Sequence, residues 1–276
     1  MPVNDGSFSA LLFQPGVKVR MFLSNMPWNR PITVGLFEGA ELKAHWRLRT
    51  VHDRTPDEWG LKLRGLFALE GIEPERVSGI MVASVVPPVD GALAEMSRRY
   101  FQREAEFIGP KTDTGMEVLI DNPRELGADR IVNGVAAYRK YGGPCVVVDL
   151  GTAITFDAVS AEGAYLGGVI APGIGIAIMG LFSKTARLPM VDFREPEKLI
   201  GTNTVGNMQS GLYYGTIGMI DGILERIKEE LGAETKMVAT GGQSPLIVRG
   251  SRYLKLADED LTLEGLRMIW ERTRGR

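Results

Sequence analysis

Asp149-Leu150-Gly151-Thr152-Ala153-Ile154-Thr155-Phe156-Asp157 decides how this chain is read. It follows Cys145-Val146-Val147-Val148, which reads as a buried strand, and turns at a glycine into a second β-rich run, Ile154 to Val159. A strand ending in an acid and then a Gly-Thr turn suits a phosphate group. Gly151 lets the backbone bend sharply and removes the Cβ that would keep an anion from main-chain N–H groups. Thr152 adds a hydroxyl donor, and Asp149 at the strand end is placed to hold a cation or its waters. Period-two alternation puts Asp149, Ala153, Thr155 and Asp157 on one side of the hairpin. Taken alone, the same stretch is equally a β-hairpin with a polar tip.

Working outward, a second glycine turn, Gly241-Gly242, follows the strand-like Met237-Val238-Ala239-Thr240. Tyr165 to Ile170 reads as a further strand, and helices are expected at Ala177 to Phe182, Thr204 to Leu231 and Leu261 to Arg272. The same grammar appears earlier. Ile32 to Phe37 and Glu41 to Leu48 read as a hairpin around Glu38-Gly39. Thr55-Pro56-Asp57-Glu58 opens a helix with a cap, a first-position proline and acids in the first turn. Its apolar body runs from Trp59 to Leu69. Ile80 to Val86 is a buried-strand run, and Gly91 to Phe101 a helix. Both halves open with a β-meander and close with helices, so a duplicated α/β arrangement is expected. We expect a poorly ordered extension over 1–20, an N-terminal domain over 21–140 and a C-terminal domain over 141–276. The seam falls in the glycine-containing stretch Tyr138 to Pro144.

Composition excludes several classes. The chain has 276 residues, 44% hydrophobic and 24% charged, with a formal net charge of −2. That is room for two packed domains and no electrostatic footprint for nucleic acid or an anionic membrane. A single cysteine, Cys145, rules out a disulfide framework within the chain and reads as a small buried hydrophobe; with only two histidines there is no zinc set. Val169 to Ile178 is too short and too glycine-rich to span a bilayer, and a cytoplasmic location is expected. Neither glycine element fits Gly-x4-Gly-Lys-Ser/Thr, and no Gly-x-Gly-x-x-Gly follows a strand.

Between the halves lies Asp121-Asn122-Pro123-Arg124-Glu125-Leu126-Gly127-Ala128-Asp129-Arg130-Ile131-Val132-Asn133. This segment resembles the D-N-P-x-E-x-G-A-D-R-x-x-N signature of the type III pantothenate kinases, the family that includes the Bvg accessory factors. Further matches follow in order: Ser84-Val85-Val86-Pro87-Pro88, Gly168 to Gly173, Gly201-Thr202-Asn203-Thr204-Val205 and Leu261-Thr262-Leu263-Glu264-Gly265-Leu266. The resemblance implies two RNase-H-like domains of the actin-like ATPase type, with ATP in the cleft between them. It implies transfer of the ATP γ-phosphoryl group to the primary hydroxyl of pantothenate, the first step towards coenzyme A. Asp129 is then the base. Gly127, Ala128 and Arg130 line the pantothenate site together with Ile120, which stands where many relatives have tyrosine. Arg130 is available for the substrate carboxylate, and Thr204 reaches the substrate, often across a homodimer interface. Asp149 becomes the ligand of a monovalent cation, potassium or ammonium. Gly151, Thr152, Gly241, Gly242 and Asn29 become ATP contacts, and magnesium accompanies the nucleotide. From spacing alone, Asp129–Arg130 is a helix-start ion pair and Thr204 the N-cap of the long helix after it.

One departure stands out. Where the family carries a first phosphate loop, D-x-G-N-T-N, this chain reads Met26-Pro27-Trp28-Asn29-Arg30-Pro31, and only Asn29 matches. The acid and the glycine are gone, and the two prolines lack backbone donors. Two readings follow: a catalytically impaired relative that binds or regulates, or a change of reading frame upstream of Ile32.

Overall fold

The structure is a computed structural model that describes residues 17–25, 31–185 and 187–274, and only the backbone of Asn25. The expected ATP contact Asn29 and its loop lie outside the described residues. The chain divides into two compact units at Gly109/Pro110.

In the first unit β1 (Val19–Asn25), β2 (Pro31–Glu38) and β3 (Glu41–Arg49) form an antiparallel meander, and β4 (Val77–Ser84) and β5 (Ala105–Phe107) add in parallel to β1. The sheet order is β3-β2-β1-β4-β5. Helix α1 (Pro56–Leu69) opens as expected: Thr55 and Glu58 close a reciprocal capping box. It buries Trp59, Leu63 and Phe67, a spacing of four that aligns them on one stripe. With Val89, Leu93 and Met96 of α2 (Pro87–Phe101) they pack onto Met21, Leu23, Ile32 and Val34 of the sheet. Each such side chain contributes about 1.5–3 kcal/mol by leaving water.

The second unit repeats the plan. Strands β6 (Cys145–Leu150), β7 (Ala153–Val159) and β8 (Tyr165–Pro172) form the meander, and β9 (Lys236–Thr240) and β10 (Leu256–Ala257) extend it in parallel from β6. The order is β10-β9-β6-β7-β8, the first sheet's order in mirror listing. Helices cover both faces. On one, Tyr213, Ile217, Ile220 and Leu224 of α5 (Thr204–Leu231) and Ile247 of α6 (Ser244–Gly250) meet Val146, Val148 and Phe156. On the other, Ala136 and Ala137 of α3 (Ala128–Tyr141) and Leu261 of α7 (Leu261–Arg274) meet Cys145, Val147 and Val159. Helices α3 and α7 cross closely because Gly265 has no side chain: a Cβ there would lie 2.3 Å from the Val132 carbonyl oxygen. Helix α4 (Ile174–Lys184) follows β8.

Several expectations change. The stretch assigned to a leading extension contains the start of β1, and Val19, Met21, Phe22 and Leu23 are fully buried. Helix α3 groups with the second unit rather than with residues 21–140, because its apolar face packs on β6 and β7. The N-cap of α5 is Asn203, not Thr204: its backbone is extended, and its Oδ1 accepts from Gly206 N–H at 2.8 Å. Cys145 is buried as expected, and burial pushes its thiol up to about 12, far from nucleophilic use. Among the described residues no helix is long and apolar enough to cross a membrane.

Candidate active site

Strands β6 and β9 run parallel, with Asp149 opposite Thr240, so their C-terminal ends stop side by side. The two glycine turns found in the sequence hang from those adjacent ends, where open α/β sheets place ligands. Asp149 is buried, 6% exposed. Beyond it Leu150 pairs with Ile154, and Gly151 N–H bonds to Ala153 O at 3.0 Å, closing the turn on itself. The Gly151 amide is therefore committed to the turn, and its contribution is shape. Gly173, the N-cap of α4, seats against this loop: its N–H donates to Thr152 O at 3.0 Å, and a Cβ would come within 2.2 Å of the Gly151 and Thr152 oxygens. The Gly241-Gly242 turn takes φ +90° at Gly241, a conformation glycine adopts at no steric cost, and leads into α6.

Helix α3 delivers the acid. Gly127 is its N-cap, and Asp129 sits in the first turn with Oδ1 accepting the Arg130 N–H at 2.9 Å. Burial pushes the Asp129 carboxyl up to about 6, and the negative charge of Asp149 pushes the same way; the Arg130 N–H bond opposes them. The helix-start ion pair does not form as the spacing suggested. Arg130 turns instead to Asp157, its Nε 2.6 Å from Oδ1, while the Tyr165 hydroxyl donates to the same oxygen at 2.6 Å. The Thr155 hydroxyl donates to Oδ2 at 3.1 Å, as expected for side chains on one face of β7. Burial raises the Asp157 carboxyl, against the Arg130 charge and the donated hydrogen bonds. The Tyr165 hydroxyl is raised too, first by burial and then by Asp157, so it stays a protonated donor.

Of the residues expected from sequence, the second unit thus gathers Gly127, Ala128, Asp129 and Arg130 with Asp149, Gly151 and Thr152, and sets Gly241 and Gly242 just past the end of the strand beside Asp149. Residues 117–120 run along β8, where Leu119 N–H bonds to Tyr165 O and Ile120 faces Gly167. Thr204 is exposed in the first turn of α5 and makes none of the bonds that tie the Asp129 cluster together. It stands instead beside a surface cavity of about 530 Å³ lined by residues including Arg194, Lys198, Asn203 and Gln209. Tyr165 was missed in the sequence, where it read only as the first residue of a strand. No set of three or more acidic, histidine or cysteine side chains among the described residues forms a metal cage. A divalent ion carried by a nucleotide needs only one or two carboxylates beside the phosphate oxygens, and the buried Asp149 fits that demand.

The comparisons agree with this geometry. A family profile described as type III pantothenate kinase matches residues 29–226. A type III pantothenate kinase of Solibacter usitatus is 64% identical over 252 residues, covering 91% of this chain and 97% of the relative. One from Koribacter versatilis is 56% identical, covering 88% of each. Among solved structures, one described as a Baf family transcriptional activator from Campylobacter jejuni superposes with a TM-score of 0.58 at 19% identity, covering 93% of this chain and 100% of that one. The ethanolamine utilization protein EutJ of Carboxydothermus hydrogenoformans reaches 0.53 at 12%, covering 94% and 91%. These distant likenesses carry the fold, two RNase-H-like halves of the actin-like type. Nothing among them favours an impaired relative. A profile spanning well over half the sequence, and near neighbours of one name, leave a single conclusion: this chain belongs to the type III pantothenate kinases.

Proposed function

We propose that the chain phosphorylates pantothenate with ATP, using Asp129 as the base that accepts the proton of the attacking primary hydroxyl. The observation that carries this is the state of Asp129: a half-buried carboxyl raised to about 6, beside a guanidinium and a phosphate-type turn. A base with that affinity is ionised at neutral pH yet takes a proton more readily than an ordinary carboxylate. Phosphoryl transfer asks little covalent chemistry of the protein, so positioning and charge do the rest. Arg130 pairs with the carboxylate of pantothenate through its Nη nitrogens, and Gly127, Ala128 and Ile120 line the same pocket. Thr152 donates its hydroxyl to an ATP phosphate, and Gly241-Gly242 lets the adenosine lie against bare backbone.

Asp149 holds the monovalent cation, potassium or ammonium, and magnesium arrives with ATP. When bound, these ions neutralise charge on the phosphates. The chain acts as a homodimer. Supporting this, α4 and the segment after it expose Ile176, Met179, Phe182, Met190, Leu199 and Ile200, and an apolar face of that kind marks an association surface. Thr204, exposed at the start of α5, then serves the substrate across that interface.

Incubating the purified protein with ATP, magnesium and pantothenate, with and without potassium or ammonium, tests the reading. Formation of 4'-phosphopantothenate, lost in Asp129→Asn and dependent on a monovalent cation, is expected. Absence of product at saturating substrates with both cations present sinks it.

A further inference from the structure

Arg130 is gripped from behind. Its Nε bonds to Asp157, whose side chain is fully buried, while Arg130 keeps 19% of its own side-chain surface exposed. Three donors converge on the Asp157 carboxylate: Arg130 Nε and the Tyr165 hydroxyl on one oxygen, and the Thr155 hydroxyl on the other. A carboxylate only accepts, so three converging donors fix its rotamer and, through it, the plane of the guanidinium. Among the described residues neither Nη nitrogen of Arg130 has a hydrogen-bond partner. Gly168 keeps space for that side chain: a Cβ there would lie 1.8 Å from Phe156 O and 3.1 Å from Arg130 Nη2.

Stability does not account for this cluster. Burying an ion pair beside a valine-rich sheet costs desolvation that apolar side chains at the same positions would avoid. The arrangement spends that free energy to hold one edge of a guanidinium and leave the other edge unbonded. A fork of two N–H donors on a fixed plane matches a carboxylate, whereas a swinging arginine loses rotamer entropy on each encounter.

We propose that Asp157 and Tyr165 are positioning residues: they clamp the Nε edge of Arg130 so that its two Nη nitrogens form a preset fork for the carboxylate of pantothenate. The inference rests on the reading of Arg130 as the carboxylate's partner. Neither residue touches substrate, and each acts through Arg130.

Steady-state kinetics with pantothenate varied at saturating ATP tests this on Arg130→Gln, Asp157→Asn, Tyr165→Phe and the doubles with Arg130→Gln. Arg130→Gln is expected to raise the pantothenate KM by ~10- to 100-fold, the range for a charge-assisted pair. Asp157→Asn raises it ~10-fold and Tyr165→Phe ~3-fold, with kcat and the ATP KM little changed. In the Arg130→Gln background either second change adds less than ~2-fold, because its route of action is already gone. Tyr165→Phe keeps the ring and removes only the hydroxyl, so it serves even where Asp157→Asn folds poorly. If Arg130→Gln raises the KM but Tyr165→Phe and Asp157→Asn lower only kcat or melting temperature, or add in full to Arg130→Gln, the clamp is overturned. If Arg130→Gln leaves the pantothenate KM unchanged, the carboxylate assignment itself falls, and the clamp with it.

Discussion

The two units share a sheet and differ in what they bury inside it. In each, an antiparallel meander is extended by two parallel strands from its first strand. Among the described residues, the buried polar side chains of the first unit are Ser24 and Ser97, while the second buries the carboxyls of Asp149, Asp157 and Asp221. In the second unit Leu150 pairs with Ile154 across a tight turn. The same topology therefore buries whole carboxylate side chains in the second copy, Asp157 bonded to Arg130 of α3 and Asp221 of α5 bonded to Ser251, where the first buries serine hydroxyls. Topology sets where strand ends meet; the residues placed at those ends decide what each copy can bind.

The contrast can be broken or sharpened by experiment. The largest effect belongs to Asp129→Asn, which keeps shape and removes the carboxylate we propose as the base: kcat is expected to fall ~10²- to 10⁴-fold, measured by product formation. Next comes Phe67→Ala in the apolar copy. Phe67 is fully buried between α1 and the sheet, and the change should cost about 3–5 kcal/mol of stability by denaturant unfolding. A loss below about 1 kcal/mol would mean that the core collapses around the gap.

The pH dependence follows from Asp129. Its folded carboxyl keeps a proton up to about 6, and the unfolded one only to the ordinary aspartate value of 3.8. Between those values the native state binds more protons, so stability falls as pH rises through the window, and the penalty is complete above it. Asp129→Asn should therefore raise the melting temperature at pH 8 and lose that advantage near pH 4. In the unaltered protein, kcat/KM for pantothenate should drop about tenfold per pH unit below 6. The smallest effect is Asn203→Ala, which removes the α5 cap for about 1 kcal/mol, read as faster amide exchange at Gly206.

Much of this was legible in sequence, and the misses have physical reasons. The meanders, α1, α5 and α7 announce themselves by period and by caps such as Thr55-Pro56. Strand β1 does not: it is central and buried on both faces, so Val19, Met21, Phe22 and Leu23 show no alternation to detect. Helix α3 is legible only at its start, because Ile131 through Ala137 are all buried and leave no polar face to mark the period. Asp129, Asp149 and the glycine turns could be read because each lies in a short local motif. The Arg130–Asp157–Tyr165 cluster could not, since its bonds link α3, β7 and β8 across a sheet register that no local pattern encodes. Asn203 outcompetes Thr204 as cap for a conformational reason: its backbone stays extended, while Thr204 is already helical.

The contact between Gly173 and the Thr152 carbonyl has a further use. That amide proton exchanges with solvent only when the carbonyl lets go, so its exchange rate reads how often the turn comes apart. A molecule that grips the turn should slow this clock, and one that binds elsewhere should leave it running. Position 173 also works as a gauge block. With oxygens within 2.2 Å of where a Cβ would sit, any larger residue pries the turn from its helix, so the tolerance of the whole loop is set by a side chain that is not there.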